Sequence, residues 1–374
     1  MTERGTPDAA TQLEYCTYCP KMCRHACPVS TASGVETHTP QAKMATLNLV
    51  RKGQGSWDRP STDPVWACTG CRHCTEYCAL GNEPGTTLFA GRAEAVKRGA
   101  GHPALEGYPD RFRAREERLA KQVKAAFPRE RFAEDAQVAL WPGCDALDKG
   151  EADVRAQLTL LGRLGVDHVR LVDADRVCGG YPLLAAGHPD SFRWHAARVA
   201  KELRRYRTVV MSCSACVYAL RVLYPAEGVT VASEILHTTE LLAPLAPRVE
   251  PRFPAAPVYY HDPCYLARYL SVMEQPRKLL ARVAEVREFG WSHRDTECCG
   301  GGGMLPKTMP AVADEMARRR LREVAASGGG TVVTSCGTCK HILARAAPPG
   351  VAVRDLTELV EERTRPTPPE AVGL

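Results

Sequence analysis

The sequence predicts an α+β multidomain protein, in which an α-helical N-terminal domain precedes two tandem α/β cysteine-rich repeats with parallel sheets. Three observations support this prediction. Two dense cysteine runs with few strand signals fill residues 13–98, a charged, helix-prone connector covers 99–135, and the segments 136–246 and 255–365 repeat each other. A chain of 374 residues is also longer than one hydrophobic core usually spans, so several domains are expected.

The composition indicates a globular protein and argues against a membrane-spanning or nucleic-acid-binding one. Apolar residues make up 44% of the chain and charged residues 25%, an ordinary globular balance. No segment approaches the roughly 18 consecutive apolar residues of a membrane-spanning helix, and the N-terminus lacks a secretory signal. We therefore expect a cytoplasmic protein that reaches the inner face of a membrane only through a partner. Acids and bases are interleaved and aromatic residues are only 6%, which argues against nucleic-acid binding.

The seventeen cysteines are the most unusual feature of the sequence. Thiols in the cytosol are kept reduced, so a disulfide framework is not expected. The number of cysteines is odd, and they lie in groups with short spacings, which is how the ligands of one metal centre are arranged. The sequence thus indicates metal clusters.

The predicted N-terminal domain carries two cysteine runs. The second run, Cys68-x2-Cys71-x2-Cys74-x3-Cys78, has the spacing of bacterial ferredoxins, in which three close thiolates bind one cluster and the fourth binds the other. This pattern predicts two [4Fe–4S] clusters. Their ligands would be Cys27, Cys68, Cys71 and Cys74 for one, and Cys16, Cys19, Cys23 and Cys78 for the other.

Two departures from the ferredoxin pattern leave alternatives open. Three residues separate Cys19 from Cys23, where ferredoxins have two, and Ala79 stands where proline is usual. The cluster with the longer loop could be [3Fe–4S] or labile, and zinc held by four cysteines at each site is the alternative to iron. About forty residues, including the helical segment 40–53, separate the two runs, which favours an all-helical ferredoxin-like domain.

The second half of the chain is predicted to be a tandem duplication. Cys144 is matched by Cys264 after 120 residues and Cys178 by Cys299 after 121. The pair Cys213 and Cys216 is matched by Cys336 and Cys339 after 123. Matching positions in the same order at a nearly constant offset are the signature of a repeat.

Each copy of the repeat predicts alternating strands and helices. The predicted strands are 137–141, 168–173, 208–212, 257–261 and 331–335, and the predicted helices are 151–165, 191–206, 276–289 and 311–327. Strands that alternate with helices of this length indicate parallel sheets. The cysteines fall just beyond the carboxyl ends of the strands, which is where ligands bind in open α/β sheets.

The second repeat offers more thiolates than one metal ion needs. Its five cysteines exceed the ligand set of a tetrahedral zinc or a simple cubane, so a cluster with an additional iron or an opened cluster is expected. The glycine run that begins with Gly300 and Gly301 is not a phosphate loop, and we expect it to bring backbone amides close to cluster sulfur. The predicted ligands are Cys264, Cys298, Cys299, Cys336 and Cys339.

The first repeat has one cysteine fewer, because Val177 stands at the position of Cys298. Four thiolates remain, which fit an ordinary [4Fe–4S] cluster, an altered cluster or zinc, and we prefer iron–sulfur to zinc. These assignments leave no cysteine for a disulfide or a nucleophilic thiol, and no catalytic residue is predicted. The predicted ligands are Cys144, Cys178, Cys213 and Cys216.

The order of these motifs resembles the family of cysteine-rich-domain (CCG) iron–sulfur proteins. That family includes the iron–sulfur subunits of glycolate oxidase and anaerobic glycerol-3-phosphate dehydrogenase, and heterodisulfide reductase subunits. The resemblance covers about residues 13–365. It implies that the second repeat binds a noncubane [4Fe–4S] cluster like that of heterodisulfide reductase, whereas Val177 removes one ligand from the equivalent set of the first repeat.

The expected function is that of an iron–sulfur electron-transfer subunit, an oxidoreductase component. Because the sequence has no flavin or nucleotide fingerprint, single electrons would pass between a flavoprotein dehydrogenase or electron-transfer flavoprotein and a quinone or other acceptor. One alternative is an enzyme that reduces a disulfide at the noncubane cluster of the second repeat. Another is a zinc-stabilised interaction module.

Four further residues near the cysteines have modest expected roles. His237 and His261 are expected to be capping or partly buried structural residues, with a hydrogen bond to a cluster or proton transfer as the alternative. Arg268 and Lys340 are expected at the surface, which is the usual place for charged side chains, with a hydrogen bond to a cluster or compensation of its charge as the alternative.

Overall fold

The computed structural model describes residues 7–133, 136–148, 151–166 and 169–365. Its N-terminal part is helical, and no strand occurs among the described residues before Phe132. The helices of this part are α1 (Ala9–Tyr18), α2 (Pro28–Ser33), α3 (Pro40–Arg51), α4 (Arg59–Trp66), α5 (His73–Glu76), α6 (Pro84–Lys97) and α7 (Tyr108–Ala126). The side chains of Thr39 and Asp58 accept backbone N–H groups at the starts of α3 and α4, which fixes where these helices begin.

The first repeat contains a sheet of five described strands in the order β1-β3-β2-β4-β5, with every pair parallel. The strands are β1 (Phe132–Ala133), β2 (Val138–Trp141), β3 (Arg170–Val172), β4 (Thr208–Met211) and β5 (Glu234–His237). The helices are α8 (Cys144–Asp148), α9 (Ala152–Arg163), α10 (Tyr181–Ala185), α11 (Pro189–Leu203), α12 (Ser214–Tyr218), α13 (Tyr224–Ala226) and α14 (Thr238–Leu242). β1 belongs to the end of the predicted connector, and the first residue of the predicted strand 168–173 lies outside the described residues.

The second repeat has the same architecture. Its described strands form a parallel sheet of order β7-β6-β8-β9. The strands are β6 (Ala256–His261), β7 (Ala284–Glu288), β8 (Gly330–Thr334) and β9 (Val351–Asp355), and the helices are α15 (Glu274–Leu280), α16 (Leu305–Thr308), α17 (Pro310–Ala326), α18 (Gly337–Ala346) and α19 (Leu356–Arg363). The prediction of two tandem α/β units with parallel sheets is confirmed.

One element of the second repeat was wrongly predicted. The segment 276–289 is helical only as far as Leu280, and its remainder is the strand β7. β7 pairs with β6 in parallel, with Val286 opposite Val258, and it takes the place that β3 takes in the first sheet. Backbone hydrogen bonding along the sheet therefore overrides the helical periodicity of this segment.

Short turns complete the described helical structure. The 3₁₀ turns are Arg24–Ala26, Glu36–His38, Pro103–Leu105, Arg129–Arg131, Ala243–Arg248 and His293–Asp295, and the π-helical turns are Ala219–Leu223 and Tyr265–Tyr269. Each π turn lies within a few residues of a predicted cysteine ligand, Cys216 or Cys264. Such turns are frequent at functional sites, because they re-aim the side chains beside them.

Arg92 on α6 joins the helical part to both repeats. Its side chain is 0% exposed, and it donates hydrogen bonds to five backbone carbonyl oxygens. These carbonyls belong to Val65, Trp66 and Cys68 of the helical part, to Ala185 of the first repeat and to Gly303 of the second, at distances of 2.7 to 3.3 Å. One buried guanidinium thus holds three regions of the chain together.

The second half of the predicted glycine run lies at this junction. A Cβ added at Gly302 would lie 2.5 Å from the carbonyl oxygen of Thr69. Gly303 has a φ of +57°, and a Cβ there would collide with the carbonyl oxygen of Cys68. These two glycines therefore allow the backbone of the second repeat to touch the second cysteine run.

The described helices do not include one with the length and apolar character that crossing a membrane requires.

Candidate metal centres

One set of N-terminal cysteines surrounds a small cavity. Cys27, Cys68, Cys71 and Cys74 line it together with Lys43 of α3. The side chain of Lys43 is buried, and its Nζ lies 3.6 Å from the Sγ of Cys27. Burial raises the pKa of Cys74 well above its ordinary value, and the neighbouring thiols raise it further. Thiolates in such a site need a compensating positive charge, which a metal centre supplies.

The other N-terminal cysteines form a second set. Burial raises the pKa of Cys16 to about 11, and the nearby thiols of Cys78 and Cys19 contribute to the increase. Burial likewise raises the pKa of Cys23 to about 12, with contributions from the thiols of Cys16, Cys78 and Cys19. Asn82 donates from Nδ2 to the Sγ of Cys16 at 3.1 Å and from its backbone N–H to the Sγ of Cys78 at 3.4 Å.

The four cysteines of the first repeat also converge. The thiol of Cys178 is in hydrogen-bonding contact with those of Cys144 and Cys216, and Cys216 is in contact with Cys213. The backbone N–H of Gly179 donates to the Sγ of Cys216 at 3.2 Å. The chain therefore brings these thiols together although they lie up to 72 residues apart, between Cys144 and Cys216.

Neighbouring side chains occupy the space around Val177, where this repeat lacks a cysteine. Trp141 donates from Nε1 to the carbonyl oxygen of Val177 at 2.7 Å. Glu116 of α7 accepts hydrogen bonds from the backbone N–H groups of Val177 and Cys178 at 3.0 and 3.1 Å. Burial raises the pKa of Glu116 to about 7. The helix of the predicted connector thus reaches the first cysteine set.

The five cysteines of the second repeat lie at the carboxyl ends of β6 and β8 and in the loop before α16. The Sγ atoms of Cys264 and Cys298 are 4.0 Å apart, and those of Cys299 and Cys339 are 3.4 Å apart. Cys336 contacts Cys339. Hydrogen bonds with the thiols of Cys298 and Cys339 hold the pKa of Cys299 well below its ordinary value.

Backbone amides of the glycine run point at this sulfur set. The N–H of Gly300 donates to the Sγ of Cys298, and the N–H of Gly301 donates to the Sγ of Cys299, both at 3.4 Å. Gly300 has a φ of +95°, and a Cβ there would lie 2.7 Å from the carbonyl oxygen of Ala313. Glycine is therefore required at this position for the turn that directs the amides.

Two groups of potential ligands in the described part of the chain are compact enough to hold a single metal ion. In the described residues, two groups of three side chains place their ligand atoms within 4.8 Å of one another: His261 with Cys299 and Cys339, and Asp262 with Glu288 and His293. Neither group consists of cysteines alone.

Cys71 of the N-terminal region touches the second repeat. Its thiol is in hydrogen-bonding contact with Cys298, and this contact raises the pKa of Cys71 well above its ordinary value. Arg268 lies beside the contact, and the surface position expected for it is wrong, since it is only 2% exposed. Arg268 donates to the carbonyl oxygens of Cys71 at 2.6 Å and Thr296 at 2.8 Å.

Lys340 is likewise not a free surface residue. Its Nζ lies 2.6 Å from an oxygen of Asp153 in the first repeat and 2.9 Å from an oxygen of Glu358 in the second. The ion pairs join the two repeats beside Cys339.

Arg92, Lys43 and Asn82 were not anticipated from the sequence, because each acts through segments that are distant along the chain.

A cavity of about 390 Å³ separates the two repeat cysteine sets. Its wall includes cysteines from both repeats, among them Cys178, Cys216, Cys264 and Cys298. The basic side chains of Arg111, Arg115 and Lys307 also line it. A small molecule in this cavity would therefore contact both sets at once.

The two histidines differ in their surroundings. His237 caps α14, as expected, by accepting the backbone N–H of Thr239 at Nδ1. His261 ends β6 and is fully buried, and a ring nitrogen of His261 lies within 4.8 Å of the sulfurs of Cys299 and Cys339. Burial holds the pKa of His261 well below its ordinary value, and Arg320 lowers it further.

Two family models match the chain. The 4Fe–4S dicluster domain matches residues 12–82, and the cysteine-rich domain matches twice, at residues 138–221 and 258–344. The matched segments coincide with the helical part that holds the first eight cysteines and with the two α/β units.

Several curated proteins are similar to the chain. A subunit of the dihydromethanophenazine:CoB–CoM heterodisulfide reductase of Methanosarcina acetivorans is 26% identical over 91% of this chain and 91% of its own length. A subunit of the fumarate reductase (CoM/CoB) of Methanothermobacter marburgensis is 27% identical over 79% of this chain and 61% of its own. EtfAB:quinone oxidoreductase of Syntrophomonas wolfei is 23% identical over 84% of this chain, which spans 48% of that protein.

The domain order, the duplicated α/β unit and the convergent cysteines agree with these comparisons. The chain is an iron–sulfur protein that belongs to the cysteine-rich-domain (CCG) family, with a 4Fe–4S dicluster domain before the two cysteine-rich domains.

Proposed function

We propose that this chain is an electron-transfer subunit that passes single electrons between a flavoprotein dehydrogenase or electron-transfer flavoprotein and a quinone or another acceptor. The observation that carries the proposal is the contact between Cys71 and Cys298. It places a thiol of the predicted ferredoxin-like domain (13–98) against a thiol of the second repeat (255–365). Electrons that arrive in one of these domains would thus have a short route to the other.

The cysteine sets fit iron–sulfur clusters, which accept and release one electron at a time when bound. We assign two [4Fe–4S] clusters to the ferredoxin-like domain, a [4Fe–4S] cluster, in noncubane form, to the second repeat, and an iron–sulfur cluster rather than zinc to the first repeat (136–246). The ligands would be Cys27, Cys68, Cys71 and Cys74; Cys16, Cys19, Cys23 and Cys78; Cys264, Cys298, Cys299, Cys336 and Cys339; and Cys144, Cys178, Cys213 and Cys216.

The number and the sequence spacing of the cysteines support iron over zinc. The run Cys68-x2-Cys71-x2-Cys74-x3-Cys78 has the spacing of bacterial ferredoxins, and the five cysteines of the second repeat exceed the four ligands of a tetrahedral zinc. The buried cations Lys43 and Arg268, beside Cys27 and Cys71, would offset the negative charge of such clusters.

The names of the relatives support a partner that carries flavin. One relative is called an EtfAB:quinone oxidoreductase and another belongs to a fumarate reductase. This chain has no nucleotide fingerprint, so hydride chemistry would belong to a separate subunit. Such a partner, on the cytoplasmic side, would also bring the chain to a membrane acceptor.

The test of this function is a rapid-mixing experiment on anaerobically purified protein. We expect a reduced electron-transfer flavoprotein to bleach the cluster absorbance of this chain, and an added quinone analogue to restore it. As a control, free reduced flavin at the same concentration gives the rate of cluster reduction without a protein partner. If the flavoprotein reduces the clusters no faster than free flavin does, the proposed function is wrong.

The cavity between the repeats favours a second candidate function, the reduction of a disulfide. Two electrons and two protons would convert a disulfide into two thiols, and the electrons would come from the ferredoxin-like domain. The observation in its favour is that the 390 Å³ cavity is lined by cysteines of both repeats. The rapid-mixing experiment also distinguishes the two functions. Rapid reoxidation of the reduced protein by an organic disulfide, with none by a quinone, would favour this enzyme over the electron carrier.

A further inference from the structure

The pair His261 and Arg320 distinguishes the second repeat from the first. Arg320 of α17 donates from Nε to the Nδ1 of His261 at 3.0 Å. Both side chains are buried, at 0% and 4% exposure. The guanidinium of Arg320 also lies 3.9 Å from the ring centre of Phe289. In the described residues, no carboxylate forms an ion pair with Arg320 within 4.0 Å.

The hydrogen bond from Arg320 determines the tautomer of His261. An arginine nitrogen can only donate, so Nδ1 must be the unprotonated nitrogen of the ring. A neutral imidazole then carries its hydrogen on Nε2. The Nε2 atom is buried and has no hydrogen-bond partner among the described residues. A ring nitrogen of His261 lies within 4.8 Å of the sulfurs of Cys299 and Cys339. Because Nδ1 is bonded to Arg320, the unused N–H on Nε2 is the donor that His261 can offer to these sulfurs.

The buried charge behind His261 also points to an anionic neighbour. A guanidinium that is 4% exposed is costly unless an opposite charge compensates for it. Thiolates of a cluster bound at Cys299 and Cys339 would supply that charge, and the imidazole lies between them and Arg320. The carboxylates of Glu297, Asp262 and Glu323 also act on Arg320, whereas a neutral sulfur set would leave the N–H of His261 without an acceptor.

The first repeat lacks both residues of the pair. Trp141 is the last residue of β2, as His261 is the last residue of β6. The indole N–H of Trp141 donates to the carbonyl oxygen of Val177. Val199 of α11 takes the place of Arg320, since α11 and α17 begin at Pro189 and Pro310 and bury the same positions. The two repeats thus surround their cysteine sets with different charges.

We propose that His261 is a hydrogen-bond donor to the sulfur ligands of the second repeat and not a metal ligand, and that Arg320 is the positioning residue that fixes its tautomer. This inference rests on the proposed cluster of the second repeat. A donor beside a cluster stabilises the reduced form, which carries one more negative charge, and so raises the reduction potential. The pair makes the second repeat a better electron acceptor than the same cysteines would be alone.

The test compares variants of the full chain with its clusters in place. Removing the donor in His261→Leu is expected to leave the iron content unchanged. At a fixed ambient potential the ratio of oxidised to reduced cluster should rise about tenfold, a shift of about 59 mV for a one-electron couple. His261→Gln keeps an N–H and should restore most of the potential. Trp141→Phe, at the equivalent position of the first repeat, should leave the second cluster unchanged.

A measurement on the unaltered protein keeps the test independent of variant folding. Pulsed EPR of the reduced protein in D₂O should show an exchangeable hydrogen near the cluster, and ¹⁵N-histidine labelling should give only a weak nitrogen coupling. Strong nitrogen coupling, loss of iron in His261→Leu or an unchanged potential would each overturn the inference alone. If wild-type protein holds no cluster in the second repeat, the proposed function fails, and this inference fails with it.

Discussion

Replacement of Arg92 by methionine is expected to destabilise the protein more than any surface substitution. The five carbonyl oxygens that Arg92 serves would lose their donor inside the protein. Each unsatisfied buried carbonyl costs about 1–3 kcal/mol, so even with partial relaxation we expect a loss of about 4 kcal/mol or more. The melting temperature, measured under anaerobic conditions, should fall by about 10 °C.

The same helix provides the control for Arg92. Arg98 is exposed and pairs with Glu94 one turn earlier, so Arg98→Met should cost less than about 1 kcal/mol. Arg92→Lys keeps the charge but offers only three donors for five acceptors, and its stability should be intermediate. An Arg92→Met protein with the melting temperature of the Arg98→Met control would contradict the role of Arg92 as the junction of the three regions.

Replacement of Cys298 by serine is expected to have the largest effect on metal content and electron transfer. Cys298 touches Cys264 in its own set and Cys71 of the N-terminal region. Without it, the second repeat should lose its cluster, about four irons per chain. The EPR signals of the N-terminal clusters should remain, while the flavoprotein-driven reduction of the chain should lose its second-repeat component.

The first repeat supplies the matched control, because Val177 occupies the position of Cys298 there. Val177 is 2% exposed, so Val177→Ala creates a small cavity, for which we expect a loss of about 1–3 kcal/mol in stability. Its iron content should equal that of the wild type. If Cys298→Ser keeps all of its iron and is reduced at the wild-type rate, the assignment of Cys298 is wrong.

The fold was largely predictable, because the cysteine repeat and the hydrophobic pattern coincide. The positions of β2, β6, β4 and β8 followed from apolar runs that end just before a cysteine. The strand β7 was missed, because its sequence AEVRE lacks the β-branched run of a buried strand and continues a helical pattern. Pairing with β6 determines its conformation, and pairing partners are not visible in one segment alone.

The cysteine groupings were predictable from spacing, whereas the charged residues around them were not. Arg92, Arg268 and Lys43 are buried, although charged side chains are almost always exposed unless they are paired. Their partners are backbone carbonyls or a thiol in segments far away along the chain. One signal was available: Arg320 continues the buried face that Val199 occupies in the first repeat, which indicates a buried arginine.

Iron, acid-labile sulfide and zinc content of the anaerobically purified chain test the central claim most directly. Four irons in each of three or four clusters predict brown protein with about 12–16 irons per chain, a similar amount of sulfide and little zinc. Colourless protein with about one zinc in place of each cluster, and no labile sulfide, would contradict the account.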